Sequence, residues 1–129
     1  MAKVLGVGGV FFKARDQATL RDWYARVLGL SFEPWGGVIF TPDAAAKQPG
    51  AATTFSSFRA DSNYFAPSAK EFMINLMVDD LTGMLARCAQ NGVTPIKVMN
   101  DEPNGRFAHI VDAEGLKIEL WEPAPLAAK

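Results

Sequence analysis

Two markers of different kinds recur in this chain at one spacing. Asp16 and Gly29 return as Asp79 and Gly92, each 63 residues further on. Between the first pair, Leu20, Trp23, Tyr24, Val27 and Leu28 fall at i, i+3, i+4, i+7 and i+8, one face of a helix. Between the second pair, Leu81, Met84, Leu85 and Cys88 form a similar stripe. Aspartate is a good helix N-cap, and glycine takes the left-handed conformation that ends a helix. Each unit is preceded by a strand-like run, Val7 to Lys13 in the first and Phe72 to Val78 in the second. Further strand-like runs follow each helix, at about 30–33, 37–41 and 51–58, and again at 95–99, 106–111 and 116–122. Two βαβββ modules are therefore expected, about 3–58 and about 71–123, in a single domain spanning 1–129. The Ala- and Pro-rich stretch 42–50 reads as a mobile hairpin loop, and 124–129 as a frayed tail. Segment 59–70 links the modules. It carries Tyr64, Phe65 and Pro67, too apolar for a solvated linker, and is expected to lie over a cavity mouth or a partner.

Composition narrows the partners. Of the 129 residues, 49% are apolar and 21% charged, with a formal net charge of −1. That is globular composition with no basic stripe to neutralise a phosphate backbone, so nucleic acid is excluded as a partner. No apolar run approaches the roughly 18–20 residues that span a bilayer, and the opening residues lack signal-peptide features. One cysteine, Cys88, fits a small core residue in a reducing compartment. The expectation is a cytoplasmic protein.

The last two strands set a register. Asp112 and a three-residue loop, Ala113-Glu114-Gly115, suit a type I turn closed by a left-handed glycine. Counting back from it puts His109 opposite Glu119 and Phe107 opposite Trp121, with Lys117 on the same face. A carboxylate beside an imidazole favours the charged ring. The pair could bind an anionic ligand, act as a base or satisfy itself.

The helix Asp16 to Leu30, with Trp23-Tyr24 and Leu28-Gly29-Leu30, the segment Val78-Asp79-Asp80-Leu81 and the closing run Asp112 to Pro123 together resemble the vicinal oxygen chelate superfamily. Its members include glyoxalases, bleomycin-resistance proteins and extradiol dioxygenases. The resemblance covers nearly the whole chain. It implies an α+β fold in which two βαβββ modules form a mixed, curved sheet around one cavity, helices outside, and it implies a homodimer. Metal-dependent members of this kind place four ligands on the inner face. Glu119 matches the last ligand position. The others fall at Gly9, near Thr54 or Ser56, and at Met73 (Phe72 in the alternative register), none of which holds a divalent metal well. No cofactor is therefore expected. The expected ligand-binding residues are Phe11, Thr54, Ser56, Met73, Asn75, Phe107 and Trp121, with His109 and Glu119 as candidate catalytic groups. Three functions stay open. The first is a binder of a small aromatic or electrophilic molecule, which the missing metal ligands favour. The others are a metal-dependent lyase, isomerase or dioxygenase, and a metal-free acid–base enzyme using His109 and Glu119.

Overall fold

A computed structural model describes residues 1–125. Helix α1 (Gln17–Leu28) opens at Asp16, whose side chain accepts a hydrogen bond from the Thr19 backbone N–H. It closes at Gly29 with φ +73°. The five residues of its apolar stripe are the ones it buries. A short helix α2 (Pro42–Ala46) follows, then strand β1 (Ile74–Met77), helix α3 (Leu81–Gln90), and strands β2 (Lys97–Glu102), β3 (Gly105–Val111) and β4 (Lys117–Pro123). The second N-cap is Asp80 rather than Asp79: its side chain accepts from the Gly83 N–H, one residue later than the repeat spacing suggests. Gly92, with φ +76°, lies just past the Asn91 C-cap.

β1, α3, β2, β3 and β4 make one complete βαβββ module. Its sheet has the order β1-β4-β3-β2, with β1 parallel to β4 and the other pairs antiparallel. The sheet is mixed and open. Alternation along β3 and β4 sends Ala108, Ile110, Ile118 and Leu120 toward the helices, where they join Leu20, Trp23, Tyr24, Val27, Leu28, Leu81, Cys88 and Leu116 in one core. The opposite face carries Phe107, His109, Lys117, Glu119 and Trp121.

The first module contributes its helix to this core, but its strand-like runs do not pair. Residues 7–13, 30–33, 37–41 and 51–58 form no ladder among the described residues. A period-2 pattern gives a run the capacity for pairing but does not by itself form a ladder. The stretch 42–50 is also not simply a loop. Proline at the first helical position has a preset φ and lacks only an N–H that the helix cannot use, so Pro42 starts a turn of helix through the alanines. A Cβ on Gly50 would collide with the Ala124 backbone, and Gln48 Nε2 donates to the Pro123 carbonyl at 3.1 Å. Ala124 N–H in turn donates to the Asn104 carbonyl at 3.0 Å, so the start of the expected frayed tail is held, while 126–129 lie outside the described residues.

The closing turn ties α1 to the sheet. Tyr24 Oη donates to Asp112 Oδ2 at 2.6 Å in a buried contact. The same carboxylate accepts the N–H groups of Glu114 and Leu116 at 2.8 and 3.0 Å. Glu114 reaches back to accept the N–H groups of Arg15 and Asp16, at 2.9 and 2.8 Å. Two stability changes are expected. Tyr24→Phe should cost about 1–3 kcal/mol, because Asp112 loses a buried donor. Trp23→Ala should cost about 3–5 kcal/mol through lost contacts and a residual cavity. Urea denaturation checks both, and a Tyr24→Phe variant as stable as the parent would contradict the role of the Asp112 contact.

Candidate functional site

Gly115 has φ +86°, the left-handed conformation that the three-residue loop requires. Asp112 N–H donates to the Leu116 carbonyl at 2.9 Å, closing the hairpin. The ladder then pairs His109 with Glu119 and Phe107 with Trp121. On the other side of β4, the parallel register sets Asn75 beside Glu119.

These pairings assemble a polar cluster on the face away from the helices. His109 Nε2 lies 2.7 Å from Glu119 Oε2. Asn75 Nδ2 donates to Glu119 Oε1 at 2.8 Å. Tyr64, from the linker, donates its hydroxyl to Glu119 Oε2 at 2.8 Å, and its oxygen stands 3.3 Å from His109 Nε2. Lys117 Nζ donates to the Tyr64 carbonyl at 2.6 Å and sits 4.9 Å from the centroid of the Tyr64 ring, within cation–π range. His109 is 2% exposed and Glu119 8%.

The electrostatics follow from those contacts. Burial pushes the Glu119 carboxyl up. The hydrogen bonds from His109, Asn75 and Tyr64, with the attraction of a charged imidazole, outweigh burial together and hold the group below its ordinary value. Glu119 is therefore ionised at neutral pH. Two lone-pair atoms do not approach to 2.7 Å without a proton between them, so Nε2 carries it and donates. Tyr64 is raised, first by burial and then by its bond to Glu119 and that carboxylate's charge, so it stays a neutral donor. Burial lowers Lys117, partly offset by the charge of Glu119.

Beside the cluster lies a cavity of about 960 Å³. One wall is the Phe107–Trp121 pair, stacked at 5.9 Å between centroids and 6° between planes. Trp121 is fixed by its indole N–H, which donates to the Asn104 carbonyl at 3.0 Å. Thr54, Ser56, Met73, Asn75 and Glu119 also line the cavity. Phe11 does not: it is 94% exposed on an unpaired segment, away from the place expected for it. His109 is absent from the wall as well; it is buried against Tyr64 and Glu119. Sequence reasoning placed the linker over a cavity or a partner but missed the hydrogen bond that Tyr64 makes to Glu119 across 55 positions. The apolar character of the linker was the only signal.

Metal-dependent members of the superfamily that the sequence resembles would hold a divalent metal on this face, and the donor set here does not suit one. Glu119 Oε2 and His109 Nε2 are bonded to each other, and Oε1 is occupied by Asn75. No group of three or more His, Cys, Asp or Glu residues converges among the described residues. Two donors already engaged with one another make a poor site for a metal that wants three or four.

A pH dependence follows. Because the folded carboxyl is the stronger acid, protonation favours the unfolded chain. The stability it adds is complete above its ordinary value of 4.5 and is lost as pH falls through the lower folded value. Glu119→Gln should be about 1.5–3 kcal/mol less stable at pH 7 and should lose less on acidification below pH 4.5 than the parent. Parallel acid limbs for the two proteins in urea titrations would show that Glu119 is not held in this way.

No protein-family model matches the chain, and no curated protein matches it by sequence. Solved structures do. A glyoxylase/bleomycin resistance protein/dioxygenase domain from Frankia sp. EAN1pec is similar with TM-score 0.55 at 16% identity, covering 94% of this chain and 99% of that one. TioX from Micromonospora sp. ML1 aligns with TM-score 0.50 at 18% identity, covering 90% and 94%. Likeness at this level of identity speaks to architecture. Together with the mixed sheet, the outer helices and the β4 carboxylate, it shows that this chain has the fold of the vicinal oxygen chelate superfamily, the fold of glyoxalase, bleomycin-resistance and dioxygenase-like proteins.

Proposed function

We propose that the protein binds a small, flat, aromatic molecule in the cavity beside β4, without a metal. The observation that carries this reading is an aromatic wall beside a buried, hydrogen-bonded carboxylate. The stacked Phe107 and Trp121 offer π surface, and the Glu119–Asn75 pair reaches the cavity wall nearby. Small-molecule sites are mostly apolar hollows of roughly 300–1,000 Å³ with a few orienting polar groups. Binding is favoured over acid–base catalysis because a general base needs a lone pair within reach of substrate. The Nε2 atom of His109 is committed to Glu119, and the ring does not line the cavity.

The test uses 2-methoxynaphthalene as a planar probe in isothermal titration calorimetry. Trp121→Ala should weaken its binding at least about tenfold, the equivalent of about 1.4 kcal/mol. Unchanged affinity, or no binding to the parent protein, would overturn the reading.

We also infer a homodimer, as the family resemblance suggests. Val4, Leu5, Phe11 and Phe55 are each roughly nine-tenths exposed, and the first-module runs that carry Phe11 and Phe55 are unpaired. No strand among the described residues pairs with the outer edge of β1 either. Exposed apolar side chains beside unpaired backbone are what a protein covers by association. A second copy brings the same segments and the same edge, which suits a two-fold contact. Sedimentation analysis at micromolar concentration should give a dimer, shifted toward monomer by Phe11→Asp with Phe55→Asp. A monomeric parent protein would refute it.

A further inference from the structure

Tyr64 occupies a slot with a definite chemical profile. Its ring stacks on Phe58 at 5.4 Å and 28°, and meets the His109 ring edge-on at 5.3 Å and 79°. Lys117 Nζ lies over the ring face. At the far end of the ring, the hydroxyl donates to an ionised carboxylate. Such a slot takes a flat, electron-rich ring with a neutral O–H at one end. The cation above the face favours electron density in the ring, and the carboxylate repels anions and rewards a donor.

The residue that fills this slot comes from a segment without regular structure. Residues 59–70 contain only turns, closed by short-range bonds such as Ser62 N–H to the Arg59 carbonyl and Ala66 N–H to the Asn63 carbonyl. The Tyr64 side chain therefore reaches the sheet through this cluster alone, plus stacking on Phe58 just before the segment. Glu119 and Asn75 line the cavity and Tyr64 does not, so the cavity ends against the carboxylate that Tyr64 holds.

We propose that Tyr64 fills a slot that adjoins the cavity across Glu119, and that the ligand class is a phenol whose hydroxyl replaces that of Tyr64 on Glu119. The proposal rests on the reading of the cavity as a ligand site and names the class of molecule that site takes. A phenol returns to Glu119 the donor it loses when Tyr64 leaves. An aryl ether of the same shape does not, and leaves a buried carboxylate one donor short. The tyrosine lowers the apparent affinity for a phenol, since only the fraction of molecules with Tyr64 displaced is competent to bind.

The experiment compares 2-naphthol with 2-methoxynaphthalene by calorimetry on the parent protein, Tyr64→Ala and Tyr64→Phe. The two variants separate loss of the whole ring from loss of the hydroxyl, and Tyr64→Phe serves if the alanine variant does not fold. Tyr64→Ala should bind 2-naphthol at least about tenfold more tightly than the parent, and Tyr64→Phe about threefold or more. 2-Methoxynaphthalene should change less than about threefold across the series. Equal or weaker 2-naphthol binding in both variants overturns the proposal, as does a parallel gain for the ether. If neither probe binds any of the proteins, the cavity reading itself fails. If the ether binds in a Trp121-dependent way while Tyr64 substitutions leave the two probes undivided, the cavity reading stands and the phenol proposal alone falls.

Discussion

The register of the β3–β4 hairpin decides what the concave face of this protein presents. One glycine with a left-handed φ and one aspartate closing the loop fix it. A slip of one residue would send Glu119 toward the helices and bring Ile118 or Leu120 out to the cavity side. The same turn holds α1, through Tyr24 on Asp112 and Glu114 on the α1 N-terminus. Core packing on one face and the polar cluster on the other therefore share a single local cause.

On the cavity side, one carboxylate organises everything near it. Glu119 accepts from three side chains that come from three parts of the chain: the linker, β1 and β3. A buried carboxylate needs that many donors to stay ionised. Here Asn75, His109 and Tyr64 perform the neutralisation by hydrogen bonding, which turns a possible metal centre into a satisfied polar patch at the end of an apolar hollow. A patch of this kind has the chemistry to orient a ligand, and the stacked indole and phenyl beside it offer the kind of surface on which a flat ring packs.

Local chemistry made much of this visible in the sequence. The stripe Leu20 to Leu28 between Asp16 and Gly29 specifies a capped amphipathic helix by spacing alone, and Gly115 specifies the turn that aligns His109 with Glu119. Other features depended on information that spacing does not carry. Two adjacent aspartates left the second cap ambiguous, and geometry selected Asp80. Three alanines after Pro42 were enough to nucleate a helical turn within a stretch whose composition suggested a loop. The runs around Phe11 and Phe55 have strand patterns, yet they pair with no strand among the described residues, and Phe11 stays exposed outside the cavity wall. The hydrogen bond between Tyr64 and Glu119 joins an irregular segment to a strand, where no periodicity links the two positions.

A proton held between His109 Nε2 and Glu119 Oε2 joins β3 to β4 at the site, and the chain has one histidine, so its ring signals are unambiguous. Long-range proton–nitrogen NMR at pH 7 reads the ring directly. The structure requires Nε2 to be protonated, its proton to exchange slowly with water, and its resonance to move when Glu119 is replaced by Gln. A ring with a bare Nε2, or one whose signals ignore that replacement, would contradict the register on which the site is built.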